Sequence, residues 1–507
     1  MSAGAGIEWT RRRVLARFGT GVLAASAAPD LFSRSLASTE KQGRRSRRPA
    51  PGRLGELAEQ LRAASEEEVF AVAARRIADG ATVKEMLAAI ALAGVLDVSP
   101  RPAGTKFHVV LAVPAALALS EATSGQARWL PVFFNLNVLK WSQQRDIAEG
   151  DWYLPEAPAP ATDDPVRARR LLGDAMRAWD DAAADRAVVA AARLLELDEL
   201  FEVLWPMGIR DFHNIGHKII HTSQLYRALQ LMPRDQREPV LRSLVWGLLG
   251  AGPGPATAPY DANVGRAGTV LREAGVRRDP QAALELSRRL HTADSAAAAA
   301  LVLEMLGRGI APDSIWDGLR LVASEILFRI RVSSVHNAQL LAVHPLTIVN
   351  AARFAWERTA SDETRGLLLL QTAAWMPMAR DLLQQVKELS MQGPGIDELA
   401  VPDGSVAVDD AMRAADVDAV RSASLVLGAT REQRSAKRFI AETTSLVIEK
   451  APEHHHYKYS VAAFEEFLRT DPSLAPRVLA PCPSYLPTRG DPVSEAVRRA
   501  RTALRGA

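Results

Sequence analysis

The sequence predicts an all-α protein, a large irregular array of about eighteen antiparallel-packed helices. Three observations carry that expectation. Apolar residues recur three and four apart through most of the chain, the spacing of one helix face. Alternating β-branched runs bounded by hairpin turns are nearly absent. Connections between the periodic stretches are short, which makes successive helices antiparallel neighbours. No fixed repeat period is visible, so one irregular array is preferred to a solenoid.

The elements follow in order. Periodic runs at 54–64, 66–79 and 83–96 predict three helices, with Ser65 and Thr82 as N-caps. The run 107–121 carries His108 near its start and Pro114 as a kink, and 130–149 ends at Gly150-Asp151-Trp152. Pro and Ala dominate 155–162, a linker or surface excursion and a candidate sub-boundary near 155–163. Asp163-Asp164-Pro165 then opens a helix with its proline in the first turn. Helix 181–201 is followed by a break at Trp205-Pro206-Met207-Gly208, and Asp211 caps 212–232. A helix at 239–249 leads into a Gly/Pro-rich loop, 250–263, long enough for a lid. Further helices are expected at 279–290, 295–306, 314–328, 335–359, 361–374 and 377–392. A loop at 393–409 precedes helices 431–450 and 460–468. The body therefore spans 54–480, before an irregular stretch at 481–489 and a polar terminal helix at 492–504.

Hydrophobic residues form 48% and charged residues 24% of the 507, the proportions of an ordinary globular protein. Charge is uneven. Residues 1–50 carry a balance of +7 and the remainder −4, so the basic character belongs to the N-terminal segment. That distribution gives no basis for a nucleic-acid-binding body. The single cysteine, Cys482, excludes an intramolecular disulfide framework and any Cys-rich zinc or iron–sulfur site.

At the N-terminus, Thr10-Arg11-Arg12-Arg13-Val14-Leu15-Ala16 precedes the small, apolar stretch 18–28, and Ala25-Ser26-Ala27 offers a cleavage site. This segment resembles a twin-arginine export signal over 1–27, with Val14 and Ala16 where such signals commonly carry Phe and Lys. The alternative is a basic surface helix or an uncleaved anchor, although the apolar run is shorter than the roughly 20 residues that span a bilayer. The resemblance implies a passenger folded before export, a periplasmic or otherwise exported location and the twin-arginine export machinery as a partner. Membrane contact is then expected only through the leader, if uncleaved. Residues 28–53, with Arg44-Arg45-Ser46-Arg47-Arg48, read as a flexible basic linker.

Ten histidines are the informative residue type. His213, His217 and His221 recur every four residues and form one stripe on a straight helix. Neighbours in the stripe stand about 6 Å apart along the axis, close enough for a pair to share one metal; the outer two, roughly 12 Å apart, cannot. His108 and His344 adjoin apolar helical sequence and must find partners if buried. The metal-ligand candidates are therefore His108, His213, His217 and His344. His336 lies eight residues before His344, on the same stripe. His221, His291 (with Asp294 at i+3), His456 and Lys458 are the candidates for proton transfer and substrate handling. His454-His455-His456 reads either as a surface cluster or as a helix start with one inward ring, with Tyr457, Lys458 and Tyr459 suited to an anionic or phenolic substrate.

Imidazole suits iron, zinc or copper. Asp211, Asp294, Glu304, Glu325, Glu442 and Glu449 are carboxylates that spacing alone does not choose between. The sequence has neither the paired Glu-x-x-His motifs of a ferritin-like di-iron centre nor the His-Glu-x-x-His of the common zinc peptidase, which argues against both. The absence of Cys-x-x-Cys-His excludes c-type haem attachment and leaves non-covalent haem as a minor alternative.

Phe212-His213-Asn214-Ile215-Gly216-His217-Lys218, His291-Thr292-Ala293-Asp294 and the stretch from His336 through His344-Pro345-Leu346 scatter single histidines over a long helical chain. In this the body, over about residues 60–470, resembles the questin oxidase-like proteins. The resemblance implies oxygen-dependent oxidation of polyketide phenols. The expectation is an exported metal-dependent oxidoreductase, iron favoured, acting on a small organic substrate. A metal-dependent hydrolase, a haem protein and a non-catalytic helical scaffold are the alternatives.

Overall fold

The computed structural model describes residues 52–252, 259–271, 275–332, 339–386, 389–391 and 393–506. The leader, nearly all of the 28–53 linker, His336 and part of the 250–263 loop lie outside the described residues. The fold is all-α and 73% helical. Its extended backbone among the described residues is a two-residue antiparallel pairing, Arg331–Val332 against Leu389–Ser390, and an isolated bridge.

There are more helices than the eighteen expected. His108–Leu111, Gln339–Ala342, Pro476–Leu479 and Cys482–Tyr485 are single turns, too short for apolar periodicity to register. The expected helix 181–201 is two, Asp181–Leu194 and Leu197–Gly208, and the second runs through Pro206. At the new boundary the Glu196 N–H donates to the Glu199 carboxylate, 3.0 Å away. Conversely, 361–374 and 377–392 fuse into Asp362–Gln384 across Pro377. Tyr260–Val270, Val408–Ala414 and Ala419–Ala429 are helices where none was expected.

The caps expected at Thr82 and at the Asp163-Asp164-Pro165 start are in place, whereas the helix after Ser65 begins only at Val69 and His213–Leu229 has Phe212, not Asp211, at its N-cap, with no side-chain cap bond. Thr82 Oγ1 accepts from Glu85 N at 3.2 Å while Glu85 accepts from Thr82 N at 2.8 Å. Ser65 and Glu68 make the same exchange at 3.2 and 3.1 Å. Asp164 accepts from Arg167 N at 2.6 Å. Residues 155–162 are tied down: Arg242 donates to the Pro155 carbonyl at 2.9 Å, and Ala161 N donates to Arg186 O at 3.2 Å.

Val83–Asp97 and the middle of Asp362–Gln384, from Gly366 to Pro377, are buried on nearly every face. Val83–Asp97 packs against Gly52–Ala63, Leu130–Glu149 and Glu238–Leu248. Asp362–Gln384 packs against Tyr260–Val270, Ser295–Gly307 and His344–Arg358. Their side chains belong to one continuous apolar cluster.

Three histidine-bearing helices are fixed to one another by buried polar groups. His213–Leu229 lies on His344–Arg358, which lies on His454–Arg469. Arg227 of the first grips Glu465 of the third at 2.7 Å, and Asn350 of the second donates to both Glu465 and Glu466, at 2.9 and 2.8 Å. Arg320 adds Pro312–Arg329 to this network through Glu466, at 2.5 Å. Charges buried at this depth must be paired, so these contacts set the register of the helices. Among the described residues no helix is long and apolar enough to cross a membrane.

Candidate metal centre

The histidines converge because they occupy helix starts. His108 opens His108–Leu111, His344 opens His344–Arg358, and His454 and His455 open His454–Arg469. Helical side chains lean toward the N-terminus, so a first-turn imidazole reaches back past the helix end. His217 arrives by another route. Asn214, Ile215 and Gly216 take left-handed backbone angles, φ 50°, 54° and 74°, so regular helix begins only at His217. Two glycines permit the close approach. A Cβ on Gly216 (φ +74°) would lie 2.6 Å from Ile348 Cδ1; one on Gly104 (φ +113°) would lie 2.9 and 3.0 Å from His217 Cδ2 and Nε2.

Backbone carbonyls settle which nitrogen carries the proton. The Nδ1 atoms of His108, His217 and His344 pair with the carbonyl oxygens of Thr105, Asn214 and Leu341, each three residues earlier. A carbonyl only accepts, so Nδ1 is the donor in all three. Burial, followed by Lys458 for His108 and His217 and by His217 for His344, pushes all three well below the ordinary histidine range. They are neutral, and each Nε2 presents a lone pair. His217 Nε2 nevertheless stands 3.4 Å from His108 Nε2 and 3.3 Å from His344 Nε2. Lone pairs facing across those gaps have no proton to share, and a cation between them would resolve the repulsion.

A second set shares His108. Its ring stacks on His454 with centroids 4.2 Å apart and lies 4.6 Å from the His455 ring. The donor atoms of His108, His454 and His455 all lie within 4.8 Å of one another and could hold a metal ion. Glu453 caps this helix. Its carboxylate takes His455 Nδ1 at 2.7 Å and His456 Nδ1 at 2.9 Å, and accepts from the Tyr485 hydroxyl at 2.8 Å. Burial alone would raise this carboxyl; His455 and His456 hold it well below the usual range. The bond leaves His455 Nε2 free to face outward, the arrangement by which a carboxylate orients a ligating imidazole.

His454 Nε2 and Lys458 Nζ are buried without hydrogen-bond partners. Burial, opposed by Glu453, lowers the Lys458 amine to about 7. Buried polar atoms rarely go unpaired, and here two adjoin one imidazole cluster.

Of the eight residues expected from sequence, His108, His217 and His344 meet, with Lys458 beside them. His456 is buried one step out, stacked on Tyr485 with centroids 4.7 Å apart. Three expected residues are not brought to the cluster. His213 is exposed, because the left-handed turn at 214–216 breaks the stripe that a straight helix would have carried. His221 keeps the stripe but turns its ring edge-on to Phe107, with centroids 4.9 Å apart, and both its nitrogens lack partners. His291 ends Pro280–Leu290, where its carbonyl accepts from Arg380 at 2.6 Å. Burial, then Arg329 and Arg380, lowers its imidazole to about 4.

The six expected carboxylates are all engaged elsewhere: Asp211 with Lys218, Asp294 with Ala297 N, Glu304 with Arg289, Glu325 with Arg329, Glu442 with Arg438, Glu449 with Arg501. Sequence reasoning missed Glu453 as the carboxylate of the site, and His454 and His455 as donors. Glu453 directly before three histidines, in capping position, was the available signal.

The donor set is all imidazole, with a carboxylate behind it, a combination suited to first-row transition metals. No protein-family model, curated protein or solved structure matches this chain.

Proposed function

We propose that this protein is an exported metal-dependent oxidoreductase whose buried imidazole cluster holds a redox-active first-row metal and oxidises a small anionic or phenolic substrate. One observation carries the reading: three imidazoles with Nδ1 tied to backbone carbonyls turn unprotonated Nε2 atoms toward one another at 3.3–3.4 Å. When bound, iron or copper would supply electron transfer and oxygen activation. The protein's part is to hold neutral imidazoles in a dry site, orient His455 through Glu453, and place the Lys458 amine beside the cluster for an anionic oxygen. The resemblance to questin oxidase-like proteins supports a phenolic substrate, and Arg11-Arg12 with the apolar stretch behind them supports export.

A hydrolytic zinc site is the second reading, favoured by spacing. Two nitrogens on one tetrahedral zinc, each about 2.05 Å from it, lie about 3.3 Å apart. Haem is disfavoured, since ring centroids 4.2–5.3 Å apart leave no plane for a porphyrin between these histidines.

Elemental analysis and a visible spectrum of protein purified from its native export pathway, with oxygen uptake measured over a panel of phenols, test the reading. Stoichiometric iron or copper with phenol-dependent oxygen uptake supports it. Zinc alone moves the assignment to hydrolysis, and metal-free protein overturns both. Replacing Arg11 and Arg12 together by Lys is expected to leave the precursor in the cytoplasmic fraction.

A further inference from the structure

The described cluster offers five first-turn or kink-positioned imidazoles, and one ion does not account for all of them. Donors on opposite sides of a single ion, with metal–nitrogen bonds of about 2.1 Å, are at most about 4.2 Å apart. Among the described residues, the set whose donor atoms all lie within 4.8 Å of one another is His108, His454 and His455, and neither His217 nor His344 belongs to it. Yet His217 and His344 carry their own signature: Nδ1 atoms committed to Asn214 and Leu341 carbonyls, and Nε2 atoms 3.3 Å apart.

We propose that the cluster is a two-ion centre, with one first-row transition metal on His454 and His455, a second on His217 and His344, and His108 between them. This rests on the metal-centre reading above and adds a site to it. His108 is the natural member of either set, since its Nε2 lies 3.4 Å from that of His217 and its ring stacks against His454. It completes three donors on one ion and leaves the other with two, so that the two-donor ion keeps open positions for an exogenous ligand, as reactive metal sites do. The buried, unpartnered Lys458 Nζ adjoins the cluster and favours an anionic ligand there.

The test is a Co(II) titration of the full chain after metal removal, followed by its visible absorption, with bound metal counted by elemental analysis. Wild type is expected to saturate at two equivalents. His217→Gln with His344→Gln, and separately His454→Gln with His455→Gln, are each expected to saturate at one. Far-UV circular dichroism checks that the variants fold, and the wild-type endpoint decides the matter even if one does not. Saturation at one equivalent overturns the second site and leaves a mononuclear centre. No binding at all overturns the metal-centre reading itself.

Discussion

His221 separates a structural from a proton-carrying histidine, and the structure fixes what its replacement should do. The ring is fully buried against Phe107, and a Cβ on Gly247 would lie 2.4 Å from its Cε1, so bare glycine backbone clamps it. Neither nitrogen has a partner, and burial lowers its imidazole from 6.5 to about 3. Between pH 3 and 6.5 the unfolded chain therefore binds a proton that the folded chain refuses, and stability falls as pH falls. The slope is about 1.4 kcal/mol per pH unit for one such group. Going from pH 7.5 to 5.0 crosses about 1.5 units of that window, a loss of about 2 kcal/mol traceable to His221. His221→Leu, similar in volume, removes this loss and also removes two orphaned nitrogens, a gain of about 1–3 kcal/mol at any pH. Urea unfolding of both proteins at the two pH values reads the difference directly, because the other histidines titrate alike in each. The variant's advantage should grow by about 2 kcal/mol at pH 5.0. An equal advantage at both values would mean that folded His221 takes its proton near 6.5, and the ring would return to the list of proton carriers.

Three further outcomes follow from the same geometry. Gly104→Ala places a methyl within 3.0 Å of His217 Nε2 and Cδ2, so metal content should fall while far-UV circular dichroism is retained; undiminished metal would show that the ring is not a ligand. Glu453→Gln weakens the acceptor that orients His455 and should reduce metal affinity about 10–100-fold, measured by competition with a chelator. Glu465, buried but held at about 2 by Arg227, Asn350 and Arg469, stabilises the fold above its unfolded value of 4.5 and loses that contribution as pH falls toward 2. Glu465→Gln should therefore cost up to about 3 kcal/mol at pH 7 in urea unfolding, with the penalty shrinking below pH 4.5. A pH-independent penalty would contradict the ion-pair account.

The fold class was legible because helix faces repeat locally. Thr82 and Asp164 announced their caps through side chains within three residues, and those caps are present, while Ser65 closes the turn that leads into Val69–Ala78. Boundaries failed where tertiary packing overrides local propensity. Pro206 and Pro377 lie inside helices, although a proline removes one backbone donor and was read as a stop. Tyr260–Val270, which begins inside the expected 250–263 loop, escapes the sequence pattern because its glycines and polar residues hide a face that packs on Asp362–Gln384.

The site was half legible, and the division has a physical cause. His108 and His344 stood out because a neutral ring in apolar sequence needs a partner, and His217 through its four-residue spacing from His213 and His221. Their grouping rests on contacts 109 and 127 residues apart in sequence, which no local pattern encodes. The stripe argument assumed that His213 and His217 share one regular helix, and three left-handed residues between them remove that assumption. Ile215 is the telling member: a β-branched residue rarely accepts positive φ, and such strain persists only where surrounding structure over-determines it. Here Gly216 lies against Ile348, Asn214 donates to the Ala103 carbonyl, and Gly104 admits the His217 ring. Two other segments, the 103–104 loop and the helix that carries Ile348, thus hold one imidazole where a continuous helix would not have put it. That expense of backbone conformation is hard to explain as packing alone, since an unbroken helix with an apolar residue at 217 would fill the same space without strain. It is explained if the position of His217 Nε2, between those of His108 and His344, is what the turn exists to secure.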